Sequence, residues 1–172
     1  LVDYLQAHQP QSVAQHLVRM LVADDQVGLR YENEVLVEIL PPGARACHWQ
    51  GLLTHRLENI DLRSEVALPP ALVARLAQPA LRDRPIAGLN GVLMVSVPAY
   101  HVGMLKVDGQ IQPLLSPGLA AFWRFNRDVQ VELVDTRWQS LEVSGQDILS
   151  HDKISLRLNL AATWRYTDVL RA

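Results

Sequence analysis

The chain has 172 residues, 49% of them hydrophobic and 20% charged, with a formal net charge of −2. That composition supports a packed core and excludes a disordered chain, and the charge makes no electrostatic case for nucleic acid or an anionic membrane surface. No apolar run reaches the roughly 18 residues of a membrane helix, and the single Cys47 cannot close an internal disulfide, which points to a reducing compartment.

Residues 1–22 read as a helical segment. Pro10 suits a first helical turn, and Val13, Leu17 and Leu21 recur on one side. His8 and His16 read as solvent-facing or capping residues, with no partner ligand nearby in sequence. No signal peptide is visible; the chain starts at Leu1 rather than Met, which leaves a removed N-terminus open.

Residues 23–68 read as a β-rich module, with strands over Gln26–Tyr31 and Val35–Leu40 and a turn at Glu32-Asn33-Glu34. Pro41-Pro42-Gly43 ends this hairpin, and Arg56–Val66 supplies a third strand. Cys47-His48 invites a nucleophile–base reading. Neighbours on a strand point to opposite faces, so the expectation is a buried, structural Cys47. Residues 69–90 read as a helix and linker. Pro69–Gln78 carries Leu72, Val73 and Leu76 on an apolar stripe, Pro79 closes it, and Arg82–Asn90 is broken by Pro85 and Gly88.

Residues 91–172 form the last part. Gly91–Val97 is an apolar strand. Val102–Val107 and Ile111–Leu115 flank Asp108-Gly109, a strong hairpin signal because both residues tolerate the positive φ of tight turns. Ser116-Pro117-Gly118 breaks the strand, Phe122, Trp123 and Phe125 cluster, and Val129–Leu133 alternates as a strand does. Trp138–Val143 predicts another strand, followed by turns beginning at Ser144 and at Ser150. Ile154, Leu156, Leu158, Leu160, Ala162 and Trp164 then fall two residues apart, which predicts an antiparallel strand with one face on a core and one in water. Together these strands suggest a long hairpin.

Residues 98–137 repeat landmarks of 23–63. Val27-Gly28, Leu40 and Pro42-Gly43 lie 75 residues before Val102-Gly103, Leu115 and Pro117-Gly118. Trp49, Glu58, Asp61 and Arg63 lie 74 residues before Trp123, Glu132, Asp135 and Arg137. The fold class expected is therefore β-rich α+β, two tandem antiparallel β modules with short flanking helices. Two copies at so long a period are a tandem pair, not a solenoid.

Val97-Pro98, Val102-Gly103, Pro117-Gly118, Phe122-Trp123, Val134-Asp135-Thr136-Arg137, Gln139-x-Leu-Glu-Val, Asp147 to Lys153 and the alternating strand to Trp164-Arg165-Tyr166-x-Asp168 resemble the start of a stomatin/prohibitin/flotillin (SPFH, band-7) domain. The pattern is closest to the bacterial slipins. Residues 23–68 resemble the same opening half-domain in diverged form. Such domains normally continue into a helix-and-strand half and a long helical tail, and many relatives carry an N-terminal membrane hairpin. The resemblance thus implies a C-terminally truncated SPFH domain, a cytoplasmic chain that is membrane-associated in the full-length protein, and self-association there. It also implies a membrane protein or protease as partner; the charge balance argues for no nucleic acid.

The chain carries no G-x-S-x-G, G-x-x-x-x-G-K-[ST], G-x-G-x-x-G or H-E-x-x-H motif and no paired cysteines. His101 reads as a strand-edge histidine. His151-Asp152 falls in a turn without a nucleophile, and Asp24-Asp25 offers too few carboxylates for calcium. No cofactor or metal is expected. The residues singled out are Asp61 with Arg63, Asp135 with Arg137, and Trp123. Each Asp-x-Arg pair would share one strand face, either as a structural ion pair or as an inter-subunit contact. The expected function is a non-enzymatic scaffold. The alternative is a small-molecule or peptide-binding module with a cleft between the two β modules, at Pro69–Asn90.

Overall fold

The computed structural model describes residues 2–78 and 85–171. In chain order the elements are α1 (Val2–His8), α2 (Pro10–His16), β1 (Leu17–Leu21), β2 (Gln26–Glu32), β3 (Val35–Leu40), β4 (Arg45–Trp49), β5 (His55–Asp61) and α3 (Pro70–Leu76). A 3-10 turn at Leu89–Gly91 leads into β6 (Val92–Val97), β7 (His101–Val107), β8 (Gln110–Ile111), β9 (Gly118–Trp123), β10 (Val129–Asp135), β11 (Gln139–Leu149) and β12 (Ser155–Trp164). The chain is a β-rich α+β protein with short helices.

Among the described residues five small sheets form, in the orders β1-β4, β3-β2-β5, β6-β9, β10-β7-β8 and β11-β12. The pairings of β1 with β4, of β2 with β3 and β5, and of β11 with β12 are antiparallel. Two compact units result: one of Leu1–Val95, Val107–Gly109 and Leu119–Val129, the other of Ser96–Lys106, Gln110–Gly118 and Gln130–Ala172.

The spacing seen in the sequence recurs in the strands. β1, β2 and β3 begin 75 residues before β6, β7 and β8, and β5 begins 74 before β10. The pairing order recurs too: β2 lies between β3 and β5 as β7 lies between β8 and β10, while β1 pairs β4 as β6 pairs β9. At the first hairpin turn Asn33 and Glu34 have φ of 48° and 64°; at the second, Asp108 and Gly109 have 50° and 78°. Leu62 N–H donates to Asp25 O at 2.9 Å, and Thr136 N–H donates to Tyr100 O at 2.9 Å.

Gly28 and Gly103 show what this packing demands. A Cβ on Gly28 would sit 2.7 Å from Val22 Cγ2 and 2.9 Å from Leu57 Cδ1; on Gly103 it would sit 3.1 Å from Leu115 Cβ and 3.2 Å from Val97 Cγ2. At Gly28 a side chain would force Val22 or Leu57 to shift, while at Gly103 its neighbours would have to give only slightly, so the tighter approach is in the first hairpin.

One face of β2, Val27, Leu29 and Tyr31, packs with Leu72, Val73 and Leu76 of α3 and with Trp123 in the main core. A smaller core of Met20, Val22 and Leu40, joined by Val18, Ala44, Ala46 and Leu57, lies between the β1–β4 sheet and the opposite face of β2. Burying these side chains, at about 1.5–3 kcal/mol for each large one, is what holds such short strands together.

Several expectations need correction. The helical segment expected over 1–22 ends at His16; Leu17 is extended (φ −129°, ψ 135°) and opens β1. Leu17–Val22 fits period four through Leu17 and Leu21, but also period two through Val18, Met20 and Val22. The second wins because β4 offers backbone partners and the small core takes Met20 and Val22. The strand expected over Ile111–Leu115 shortens to Gln110–Ile111, with Leu115 bridged to Gly103. Pro113, which has no N–H to donate, interrupts it. The turn expected at Ser144 is a bulge inside β11: the register shifts between Val143 and Gln146, and Gly145 takes φ 70°. Cys47 is half-buried rather than buried, because β4 is paired on its β1 side and Cys47 lies on the face away from the small core. The helix expected over Pro69–Gln78 is present as α3, and residues 79–84 of the expected linker lie outside the described residues.

Candidate functional site

The two Asp-x-Arg pairs form the same structure at the ends of β5 and β10. Arg63 N–H donates to Asp61 Oδ1 at 2.8 Å, while its guanidinium Nη2 donates to Oδ2 at 2.7 Å and Nε to Oδ1 at 3.2 Å. Arg137 repeats this on Asp135, with backbone N–H to Oδ1 at 2.9 Å, Nη2 to Oδ2 at 2.6 Å and Nε to Oδ1 at 3.0 Å. Each aspartate is the last strand residue and each arginine lies beyond it, so the pairs do not share a strand face as expected. The carboxylate closes an Asx turn and clamps the following guanidinium, with charge assistance to both bonds. Arg137's side-chain bond and then its backbone N–H hold the Asp135 carboxyl well down, at about 2. The Asp61 carboxyl is lowered by the same two causes. Arg63 also reaches Asp25 at 3.0 Å, and His101 lies 4.0 Å from Asp135.

Trp123 is only 1% exposed and belongs to the main core, so it presents no surface. At the expected cleft, α3 buries Leu72, Val73 and Leu76. What remains beside it is a cavity of about 180 Å³ lined by Leu29, Tyr31, Ile60, Leu72, Glu58 and Arg75. That is small against the several hundred Å³ of a typical ligand pocket. His151 and Asp152 sit 3.6 Å apart in an exposed turn. Among the described residues, no group of three or more His, Cys, Asp or Glu side chains is placed to hold a metal ion. No helix among them is long and apolar enough to cross a membrane.

The most conspicuous surface is one the sequence pattern assigned to a core. Along the β11–β12 hairpin Leu141 pairs with Ala162, Val143 with Leu160, Gln146 with Leu158 and Ile148 with Leu156. Directly opposed residues share a face, so these side chains make one apolar ladder. The Gly145 bulge keeps them in phase, and Gly145 N–H is fixed by Asn159 Oδ1 at 3.0 Å. The other face carries Ser140, Glu142, Asp147, Arg157 and Thr163. The apolar face is not covered: Leu141, Ile148, Leu156, Leu158 and Leu160 are 47–53% exposed. Periodicity identifies a face that wants burial but not what buries it, which is why the expected core contact failed here. An isolated two-stranded hairpin is marginal in water, and a contiguous apolar patch on it marks an interaction site.

Residues 95–172, a little under half of the chain, match the family model described as SPFH domain / Band 7 family. No curated protein and no solved structure matches the chain.

Proposed function

We propose that this chain, whose residues 95–172 belong to the SPFH/band-7 family, is a scaffold module that self-associates by burying the apolar face of its β11–β12 hairpin. The family is generally a membrane-associated, non-enzymatic scaffold. The observation that carries the reading is the uncovered Leu141–Ile148–Leu156–Leu158–Leu160 ladder. Five large side chains left half exposed on one face cost hydrophobic free energy that a second surface would recover.

In this reading the two five-strand blocks are copies of one ancestral unit, the first diverged, and the hairpin is what the second copy adds. The slipin-like placement rests on the landmarks from Val97 to Asp168, and the membrane protein or protease partner rests on family resemblance. Membrane association, general in the family, belongs to this reading as well. Sedimentation velocity over a concentration series tests the reading: a mass rising with concentration supports it, and a monomer at every concentration removes it.

A further inference from the structure

One end of the first β block is closed by a polar cluster where the second block is apolar. Arg30 of β2 donates from Nε to Glu38 Oε2 at 2.6 Å and from Nη1 to Glu32 Oε1 at 2.5 Å. Beside them His55 of β5 stacks on His48 of β4, with ring centroids 5.2 Å apart and planes 26° apart. The His55 side chain is 4% exposed. His48 Nε2 and His55 Nδ1 are both buried and have no hydrogen-bond partner. His55 Nδ1 lies 4.0 Å from Glu32 Oε1, and its Nε2 is 3.2 Å from the Trp49 carbonyl oxygen. At the block spacing of 75 and 74 residues, Arg30, Glu32, His48 and His55 correspond to Leu105, Val107, Phe122 and Val129, all of them buried. Apolar side chains need nothing further at that place; the buried Nε2 of His48 has no hydrogen-bond partner there to compensate a charge on its ring.

We propose that the His48–His55 stack is an acid-sensitive latch that holds the β1–β4 sheet against the β3–β2–β5 sheet and releases it on protonation. β4 belongs to the first sheet and β5 to the second, so the stacked rings bridge them. A proton on His48 would place a charge beside Arg30 and the second ring. Glu32 and Glu38 would attract it, but both are already engaged by Arg30. Burial first, then Arg30 and His55, push the His48 pKa below its ordinary value. An unfolded histidine takes its proton near pH 6.5. The folded state resists that proton, so the contribution of neutral His48 is fully present above about pH 6.5 and is lost as pH falls below it. No third side chain completes a metal site with the pair among the described residues.

The test has two parts, both on the full chain. Imidazole NMR of the native protein should show His48 titrating below about 6.5. The urea midpoint of the native chain should fall between pH 7.5 and 5.5, and that fall should shrink in a His48→Phe/His55→Val variant, which copies the second block. His48 titrating at or above 6.5, or an equal fall in both proteins, would overturn the latch. Should the variant not fold, the native titration decides alone.

Discussion

The guanidinium Nη2 of Arg137 lies 2.6 Å from Oδ2 of Asp135, and the backbone N–H of the same arginine caps the other carboxylate oxygen at 2.9 Å. One side chain therefore both ends β10 and fixes the residue that leads toward β11. The folded-state pKa of Asp135 is held to about 2 against an ordinary 3.8. Its stabilising contribution is present above the ordinary value and lost as pH falls from 3.8 toward 2. Asp135→Asn should lower stability at neutral pH and flatten acid unfolding in that window. Circular dichroism of native and variant chains from pH 5 to 2 checks it, and superimposable acid transitions would count against it.

Gly28 admits no side chain without moving Val22 Cγ2 or Leu57 Cδ1. Gly28→Val should overpack the small core and cost about 1–3 kcal/mol. Gly103→Ala should cost less, since its nearest contacts are at 3.1–3.2 Å. Urea unfolding of the two variants measures both, and a Gly28→Val chain as stable as the native would contradict the packing described.

Trp123 fills the main core beside Leu72 and Ile86. Trp123→Ala should cost about 3–5 kcal/mol, as large-to-small changes of an aromatic do in a well-packed core. A loss under about 0.5 kcal/mol in a denaturant titration, typical of surface substitutions, would contradict its place in the core.

Much of the block architecture was legible because its punctuation is chemical. Asp108-Gly109, Pro42-Gly43, Pro117-Gly118 and the two Asp-x-Arg ends each impose a backbone geometry, and the strands fill the spaces between them. β1 was not legible because Leu17–Val22 satisfies two periods at once. Its counterpart Val92–Val97, an apolar strand 75 residues on, was the available signal. The histidine pair was hidden for a different reason. Cys47-His48 drew attention to neighbours that face opposite ways, whereas His48 meets His55 only once two sheets pack. The sequence signal for it is the contrast of Arg30, Glu32, His48 and His55 with Leu105, Val107, Phe122 and Val129 at the same spacing. For Leu156, Leu158 and Leu160 the alternation marks an apolar face, but no local pattern names what covers it.

Because Leu158 is half exposed in the single chain, Leu158→Lys should change monomer stability by no more than about 0.5 kcal/mol. Thermal unfolding at low protein concentration measures this, and a loss of several kcal/mol would mean that the side chain is already buried within the chain.

Sedimentation of native and Leu158→Lys chains side by side, at matched high concentration, tests the account most directly. The native chain should sediment as an assembly and the variant as a monomer of 19.3 kDa. Equal masses for the two, whether both assembled or both monomeric, would contradict it.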